Sequence, residues 1–254
     1  MEKLSVVIIT YNEEKNIARC IDSVHSVADE ILVLDSYSTD QTAAIAESLG
    51  ATVKQEVFTG FIQKKNKAVE LASNDYVLSL DADEALDPVL ADSIRRAKEH
   101  FTSPAYRMNR CTNYCGQFIR HGSWYPDAKI RLFNRKIAHW GGINPHDKIV
   151  LQENSAVTHL KGDILHYSYH TIAEHTAQNN KLSSVAAESL FDSGKKTNLF
   201  KVFVNPCWAF FQSYFLRAGF LDGLFGWVIA VQISHMTFLK HLKLYLLLKS
   251  ANSR

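Results

Sequence analysis

An α/β fold, with a mostly parallel central sheet in three layers and a helical C-terminal extension, is what this 254-residue sequence predicts. Three observations carry the prediction. β-Branched apolar runs open the chain and alternate with helical stretches, as parallel strands joined by right-handed crossovers require. The second and fourth of these runs end in acids, at the strand ends where open α/β sheets hold their ligands. From Asn198 onward the pattern turns helical, aromatic and basic.

Leu4 to Thr10 (LSVVIIT) is a continuous β-branched run and predicts a central strand covered on both faces. It stops at Tyr11-Asn12. Asn12 is expected as an N-cap, Glu13 and Glu14 suit the positive end of a helix, and Ile17, Ile21, Val24 and Ala28 recur at helical spacing. The turn lacks Gly-x-Gly-x-x-Gly, which argues against a dinucleotide-binding oxidoreductase. Glu30 to Asp35 is the second strand, and the hydroxyl-rich loop from Ser36 to Asp40 caps a helix from Gln41 to Leu49 that Gly50 closes. Ala51 to Gln55 is a short third strand. Phe61 to Ala72 is helical and carries Lys64, Lys65 and Lys67 near its start, where the helix dipole does not favour cations. The cluster is either a solvated basic face or a set of groups that meets an anion. Asp75 to Leu80 is the fourth strand; it ends in the acids Asp81, Asp83 and Glu84 and delivers Asp81 and Asp83 to the mouth of a cleft. With one residue between them, Asp81 and Asp83 can diverge, one towards a hydroxyl and the other towards a hard cation on a diphosphate.

After Pro88 a helix runs to about His100, and then the composition shifts. Gln117 to Asp127 mixes aromatic plates with donors and acceptors, as a sugar site does. Ile130 to Phe133 is expected as a returning strand, and Trp140 to Asp147 as a flexible loop. From His166 the pattern reads as helical, with His166, His170 and His175 near helical spacing. All three are expected as polar surface or capping residues, against which His166 is weighed as a metal or diphosphate contact. Asn198 to Ser250 is rich in Phe, Trp and Tyr, but Arg217, Asp222 and Lys240 interrupt its apolar runs before they reach membrane-spanning length. A helix lying in the interface of an anionic membrane is therefore expected, its rival being a helical pair packed on the core or on a second subunit. Charge agrees with the first. The chain carries a net +2, but from Lys195 onward the balance is +7, leaving −5 for everything before. Four cysteines and no amino-terminal signal peptide lead to the expectation of reduced thiols in a cytosolic protein. Cys111 and Cys115 lack the second pair that a zinc site needs. No nucleic-acid partner is expected.

The motifs are more specific together than apart. Thr10-Tyr11-Asn12-Glu13, Asp35-Ser36-x-Ser38-Thr39-Asp40, Lys65-Asn66-x-Ala68 and Leu80-Asp81-Ala82-Asp83-Glu84 resemble glycosyltransferase family 2, inverting enzymes of the GT-A fold, over about residues 4 to 170. Arg120-His121-Gly122-x-Trp124-Tyr125-Pro126-Asp127, Arg131-Leu132-Phe133, the His146-Asp147 pair and Gly219 to Gly223 look like the lipopolysaccharide core glucosyltransferase branch. The chain departs from the family at Tyr37 and Gln41, which stand where glycine is usual, at Lys64 for a frequent Gln, and at Asp147 for Glu.

The resemblance implies a nucleotide-diphospho-sugar donor, here a UDP-sugar, and a divalent cation, Mg²⁺ or Mn²⁺. It places Thr10, Tyr11, Asn12, Glu13, Asp35, Ser38, Lys65 and Asp81 around the donor, with Asp35 on the base and Asp81 on the ribose. Asp83 goes to the metal, with His166 as a further ligand. Asp147 becomes the catalytic base, Asp127 its runner-up, and Arg120, His121, Trp124, Tyr125, Arg131, Trp140 and His146 the acceptor contacts. Residues 1–100 would form a nucleotide-sugar half, 101–170 an acceptor and catalytic half of the same domain, and 171–254 a membrane-associating helical extension. The expected enzyme sits on the cytoplasmic face of the inner membrane and acts on a lipid-anchored glycan of the lipopolysaccharide inner core. A capsule, lipid-linked or protein acceptor, or a non-catalytic nucleotide-sugar module on the membrane, are the alternatives.

Overall fold

The computed structural model describes residues 2–143 and 146–251, apart from the side chains of Ile143 and His146. The chain forms two compact units, Met1–Cys111 with Asp127–Tyr167, and Thr112–Pro126 with Ser168–Arg254.

In the first unit Leu4–Thr10 (β1) is buried along its whole length, because its side chains alternate between two cores. Leu4, Val6 and Ile8 enter one, and Val7 and Ile9 the other. Ile17–Val24 (α1), Glu30–Asp35 (β2), Thr42–Ser48 (α2), Thr52–Gln55 (β3), Phe61–Leu71 (α3) and Tyr76–Asp81 (β4) follow in the alternation that the apolar runs predict. β3, β2, β1 and β4 lie side by side and parallel. Thr10 pairs with Asp35 and Ile9 with Asp81, so this register brings both acids to one end of the sheet. α1, α2 and Pro88–Glu99 (α4) contribute to the first core and α3 to the second, which gives the three layers. Antiparallel strands then extend the sheet. Glu84–Leu86 (β5), Ala105–Tyr114 (β6), Ala128–Asn134 (β8, after the short Gln117–Phe118, β7) and Val157–Tyr169 (β11) continue it in the order β4-β8-β6-β11-β5. β8 is the returning strand expected at Ile130 to Phe133, and it pairs with β4 through Val77 and Phe133.

Three local expectations are corrected. The segment from Trp140 to Asp147 is not a flexible loop, because Ala138–Ile143 (β9) and His146–Leu151 (β10) form a two-stranded antiparallel ribbon. Its glycines read as breakers yet serve the strand. A Cβ on Gly141 would lie 2.8 Å from Val150 Cγ2, and Gly142 has φ of +102°. His166 stands on β11 and not on a helix. The next helix, Ile172–Asp192 (α5), starts after Thr171, whose hydroxyl accepts from Glu174 N while Glu174 Oε2 accepts from Thr171 N, both at 3.2 Å. Asn12, finally, does not cap α1, which begins after Asn16. Asn12 takes φ of +53°, donates its N–H to Ser38 Oγ and accepts from Thr39 N, each at 2.8 Å. Asparagine tolerates this left-handed backbone, so it ties two loops where a cap was expected.

In the second unit α5 is followed by Leu199–Phe211 (α6), a π-turn at Gln212–Leu216, a 3₁₀ turn at Gly219–Asp222 and Gly223–Ala251 (α7). Gly226 is required at the turn, since a Cβ there would lie 1.8 Å from Gly219 O. Lys243 on α7 donates to Asn180 Oδ1 at 2.9 Å and Ser183 Oγ at 2.8 Å, tying α7 to α5. His175, expected on the surface or at a cap, is buried with Nδ1 3.1 Å from the Tyr114 hydroxyl, and burial pulls its pKa down to about 4. Among the described residues no single helix is long and apolar enough to cross a membrane; α6 and α7, bent by 72° at their junction, have the length and composition only as a pair.

Candidate active site

The strand ends of β1, β2 and β4 line up, and the side chains that leave them define two cavities of the first unit. One, of about 700 Å³, is lined by Thr10, Tyr11, Glu13, Lys64, Asp81, Asp83 and His166, with Val57, Phe58 and Phe61 as an apolar wall. The other, of about 590 Å³, is lined by Lys65, Arg131, Trp140, Asp147 and further basic residues. Asp81 and Phe61 line both.

Asp81 is the hinge of the arrangement. Lys65 Nζ lies 3.1 Å from its Oδ1 and Arg131 Nη2 lies 3.5 Å from its Oδ2. Burial alone would raise its pKa, but Lys65 first and Arg131 after it hold the carboxyl well below the usual range. Glu84, the third acid of the run, does not face the cleft. It is buried, with Oε1 2.8 Å from Arg131 Nη2, and its Oε2 accepts the Asp81 N–H at 3.0 Å, so it builds the turn that presents Asp81. Burial works against the Arg131 charge, yet Glu84, Asp81 and Asp147 raise its pKa beyond the ordinary arginine value. Asp83 has different company. Among the described residues its side chain pairs with His166 alone, Oδ2 to Nε2 at 3.2 Å.

The lysines of α3 are not a solvated face. Lys64 and Lys65 are buried, and only Lys67 reaches solvent, where it pairs with Glu70. Lys64 Nζ donates to Thr10 O at 2.6 Å and to Ser36 Oγ, and burial brings its pKa down to about 8 against the opposing pull of Asp35 and Asp81. Lys65 Nζ bridges Asp81 and Asp147, 2.8 Å from Asp147 Oδ2, and lies 4.4 Å from the Trp140 ring centre. Asp35 is fully buried and accepts from Ser38 N at 2.9 Å, so Ser38 is spent on orienting it. Asp127, the second base candidate, is engaged by Arg110 at 2.9 Å and Lys129 at 3.0 Å.

Arg120, His121, Trp124 and Tyr125 belong to the second unit. There Asp222 accepts from Arg120 N at 3.1 Å and His121 N at 2.8 Å, and lies 2.9 Å from His121 Nδ1. Trp124 stacks on Tyr169 with ring centres 5.5 Å apart, inside a cluster that includes Tyr114 and His175. The side chain of His146 lies outside the described residues. Sequence reasoning gave no role to Glu84 and did not single out Arg110, Lys129, Lys148 or the Val57-Phe58 wall. It met Asp222 as a charge interrupting an apolar run and as part of the Gly219 to Gly223 motif, not as the partner of Arg120 and His121. Pairing in space, not spacing in sequence, reveals these residues.

A carboxylate pair at the end of a central strand, a lysine between two carboxylates and a deep adjoining cavity are what a nucleotide-sugar enzyme needs, and the sequence comparison agrees. The model for the glycosyl transferase family 2 domain matches residues 5–150. The chain belongs to glycosyl transferase family 2. A family member from Rickettsia felis, described as an uncharacterized glycosyltransferase, is 35% identical over 268 residues, spanning 99% of this chain and 93% of that protein. The lipopolysaccharide core biosynthesis glycosyltransferase LpsC of Rhizobium meliloti is 27% identical over 250 residues, spanning 95% of this chain and 92% of that one. Among solved structures, the mannosyltransferase PcManGT of Pyrobaculum calidifontis, in complex with GDP-Man and Mn²⁺, matches with TM-score 0.58 at 14% identity, over 95% of this chain and 86% of that one. That likeness concerns the fold alone, and the fold is the GT-A fold expected from the sequence.

Proposed function

We propose that this family 2 glycosyltransferase inverts the anomeric carbon of a nucleotide-diphospho-sugar, a UDP-sugar in the first instance, while transferring it to a hydroxyl of a lipid-anchored glycan of the lipopolysaccharide core. The observation that carries the reading is the division of labour around Asp81 and Asp83. Asp81 is engaged by Lys65 and Arg131, whereas among the described residues the Asp83 side chain meets no lysine or arginine and pairs with His166 alone. Asp83 and His166 offer one carboxylate oxygen and one imidazole nitrogen to the same cavity, 3.2 Å apart. Among the described residues no group of three or more His, Cys, Asp or Glu gathers into a full metal cage. That donor set fits Mg²⁺ or Mn²⁺ held jointly with phosphate oxygens, since such ions take one or two protein ligands and complete their shell from substrate and water. When bound, the ion would neutralise charge on the leaving diphosphate.

The chain's own residues supply the rest. Tyr11 and the Val57-Phe58 wall bound the space for the nucleoside, and Lys64 adds a cation beside the diphosphate. In the second cavity Asp147 takes the proton of the acceptor hydroxyl as its oxygen attacks the anomeric carbon. The bond from that carbon to the diphosphate oxygen breaks, and its electron pair leaves with the nucleoside diphosphate. A single displacement of this kind inverts the configuration. Release of nucleoside diphosphate from a panel of sugar nucleotides, with and without Mg²⁺ or Mn²⁺, tests the reading. Failure to turn over any of them with either metal would leave a binding module in its place.

Lys64 adds a pH dependence with a defined sign. Its ammonium loses its proton as pH rises through about 8 and not through the ordinary 10.5, because burial disfavours the charge. The unfolded chain holds that proton to the higher value, so the folded state gains stability as pH rises from 8 towards 10.5. Donor affinity moves the other way. It should weaken by about tenfold above pH 8 and become flat across that range in Lys64→Gln, as measured by titration with UDP. A wild-type profile that is flat from pH 7 to about 9.5 would remove Lys64 from the donor site.

The exposed faces of α6 and α7 support a peripheral membrane position on the cytoplasmic side. Phe200, Phe203, Trp208, Phe211 and Phe215, then Leu224, Trp227 and Val231, recur at helical spacing as apolar stripes facing outward. Lys201 on α6 and Lys240 on α7 lie near His241, whose pKa is lowered by burial, by Lys240 and by Lys201, and Lys195 and Lys196 precede α6 in the sequence. Co-sedimentation with anionic vesicles should be strong at low salt and fall as salt screens the lysines. A version ending near Ser193 should stay in solution. Equal binding by both versions would remove these helices from the role, and binding that survives carbonate washing would indicate insertion across the bilayer. A second copy of the chain on the same face is the rival occupant, and its mark would be a vesicle-independent dimer.

A further inference from the structure

The cavity that holds Asp147 is lined by five cations, Lys65, Arg110, Lys129, Arg131 and Lys148, against two carboxylates, Asp81 and Asp147. Glu84 grips Arg131, and Asp127 grips Arg110 and Lys129, so part of this charge is balanced locally. One positive charge remains even when Glu84 and Asp127 are counted. Two buried donors of the lining residues, Arg131 Nη1 and Trp140 Nε1, have no hydrogen-bond partner among the described residues. Buried donors are expensive to leave unpaired, and a ligand that satisfies them must bring acceptor oxygens. Phe61, Ile130, Trp140 and Ile149 also line this cavity and can carry the face of a sugar ring, but they do not account for its five cations.

We propose that this cavity recognises an anionic acceptor, a sugar carrying a phosphate or carboxylate close to the hydroxyl that is glycosylated. The proposal rests on the reading of this cavity as the acceptor side and adds the chemical class of the substrate. Lys148 and Lys129, the lining lysines nearer to solvent, meet the anion first, and Lys129 exchanges part of its contact with Asp127 for it. Arg131, held by Glu84 against Asp81, keeps the charge close to the reacting centre. A neutral sugar would occupy the same volume and could offer hydroxyl oxygens to the two donors, but it would bring no charge to offset the excess of cations.

The test is calorimetric titration of the full chain at low salt with glucose 6-phosphate, glucuronate and methyl glucoside. At least one of the charged sugars should bind about tenfold more tightly than the neutral one. Its affinity should fall about tenfold in the double variant Lys129→Gln, Lys148→Gln, and with added salt. Which of the two charged sugars binds more tightly distinguishes phosphate from carboxylate as the group recognised. Lys136→Gln, which removes an exposed lysine paired with Asp75 elsewhere on the surface, is the charge control and should bind like wild type. Thermal melts of each variant establish that the fold is retained. Equal affinity for charged and neutral sugars, no binding of either charged sugar, or undiminished binding by the folded double variant would overturn the proposal. Binding is read without turnover. A protein that binds these anions but releases no nucleoside diphosphate would sink the transfer reading and leave this inference standing.

Discussion

Asp83→Ala should lower turnover by about 10³-fold or more while the protein melts within a degree or two of wild type. The two halves of this expectation have separate causes. Asp83 stands in the turn after β4, and the hydrogen bond that fixes it there, from Tyr167 N to Asp83 O at 2.9 Å, belongs to the backbone and survives the substitution. Its side chain is partly exposed and pairs only with His166 among the described residues, so truncation opens no cavity in either core. Loss of the carboxylate also relieves repulsion between neighbouring acids at Asp81 and Asp83. Activity has no such reserve, because His166 alone would leave a single nitrogen ligand for a hard divalent cation that prefers oxygen. The measurement is nucleoside diphosphate release at rising Mn²⁺ concentration, alongside a thermal melt. Unchanged turnover would mean that Asp83 does not serve the metal.

The parallel half of the sheet was legible because burial on both faces leaves a local signature. β1, β2 and β4 are short continuous apolar runs, and the acids that end β2 and β4 mark the ligand edge without any tertiary knowledge. The antiparallel half left no such mark. β6 alternates buried apolar residues with Arg107, Asn109 and Arg110, and β11 is interrupted by Lys161 and Gly162, so both resemble loops in isolation. The ribbon of β9 and β10 was missed for the same reason, since Gly141 is needed to pass Val150 and a pair of adjacent glycines signals a break. At the site, residue types were readable and their partners were not. Lys64 and Lys65 stand one residue apart on α3, yet one reaches Thr10 O and the other reaches Asp81 and Asp147. Nothing in their spacing distinguishes a buried ammonium from a solvated one. Glu84 shows the converse, because three acids in four positions suggest one solvated turn, whereas the fold turns the third inward to hold Arg131.

Asp147→Asn should reduce turnover by about 10²- to 10⁴-fold with donor affinity unchanged. The substitution keeps the side chain's size and an oxygen for Lys65, whose ammonium lies 2.8 Å from Asp147 Oδ2 and also contacts Asp81. What it removes is the capacity to accept the proton of the attacking hydroxyl. Asp147 is suited to that role by its place: β10 carries it opposite Gly142, it lines the second cavity, and Lys65 connects it to the strand-end carboxylate that lines both. Asp127 is held differently. Arg110 and Lys129 both engage it, so Asp127→Asn would free two cations and chiefly alter acceptor affinity. The discriminating measurement is the pair of variants under saturating donor, with kcat and the KM for acceptor read separately. A loss in kcat for Asp147→Asn and a fall in the KM for the anionic acceptor in Asp127→Asn, which releases Arg110 and Lys129 to it, is the expected pattern. An active Asp147→Asn beside an inactive Asp127→Asn would reverse the assignment, and Lys65 would then serve to hold Asp147 away from the chemistry.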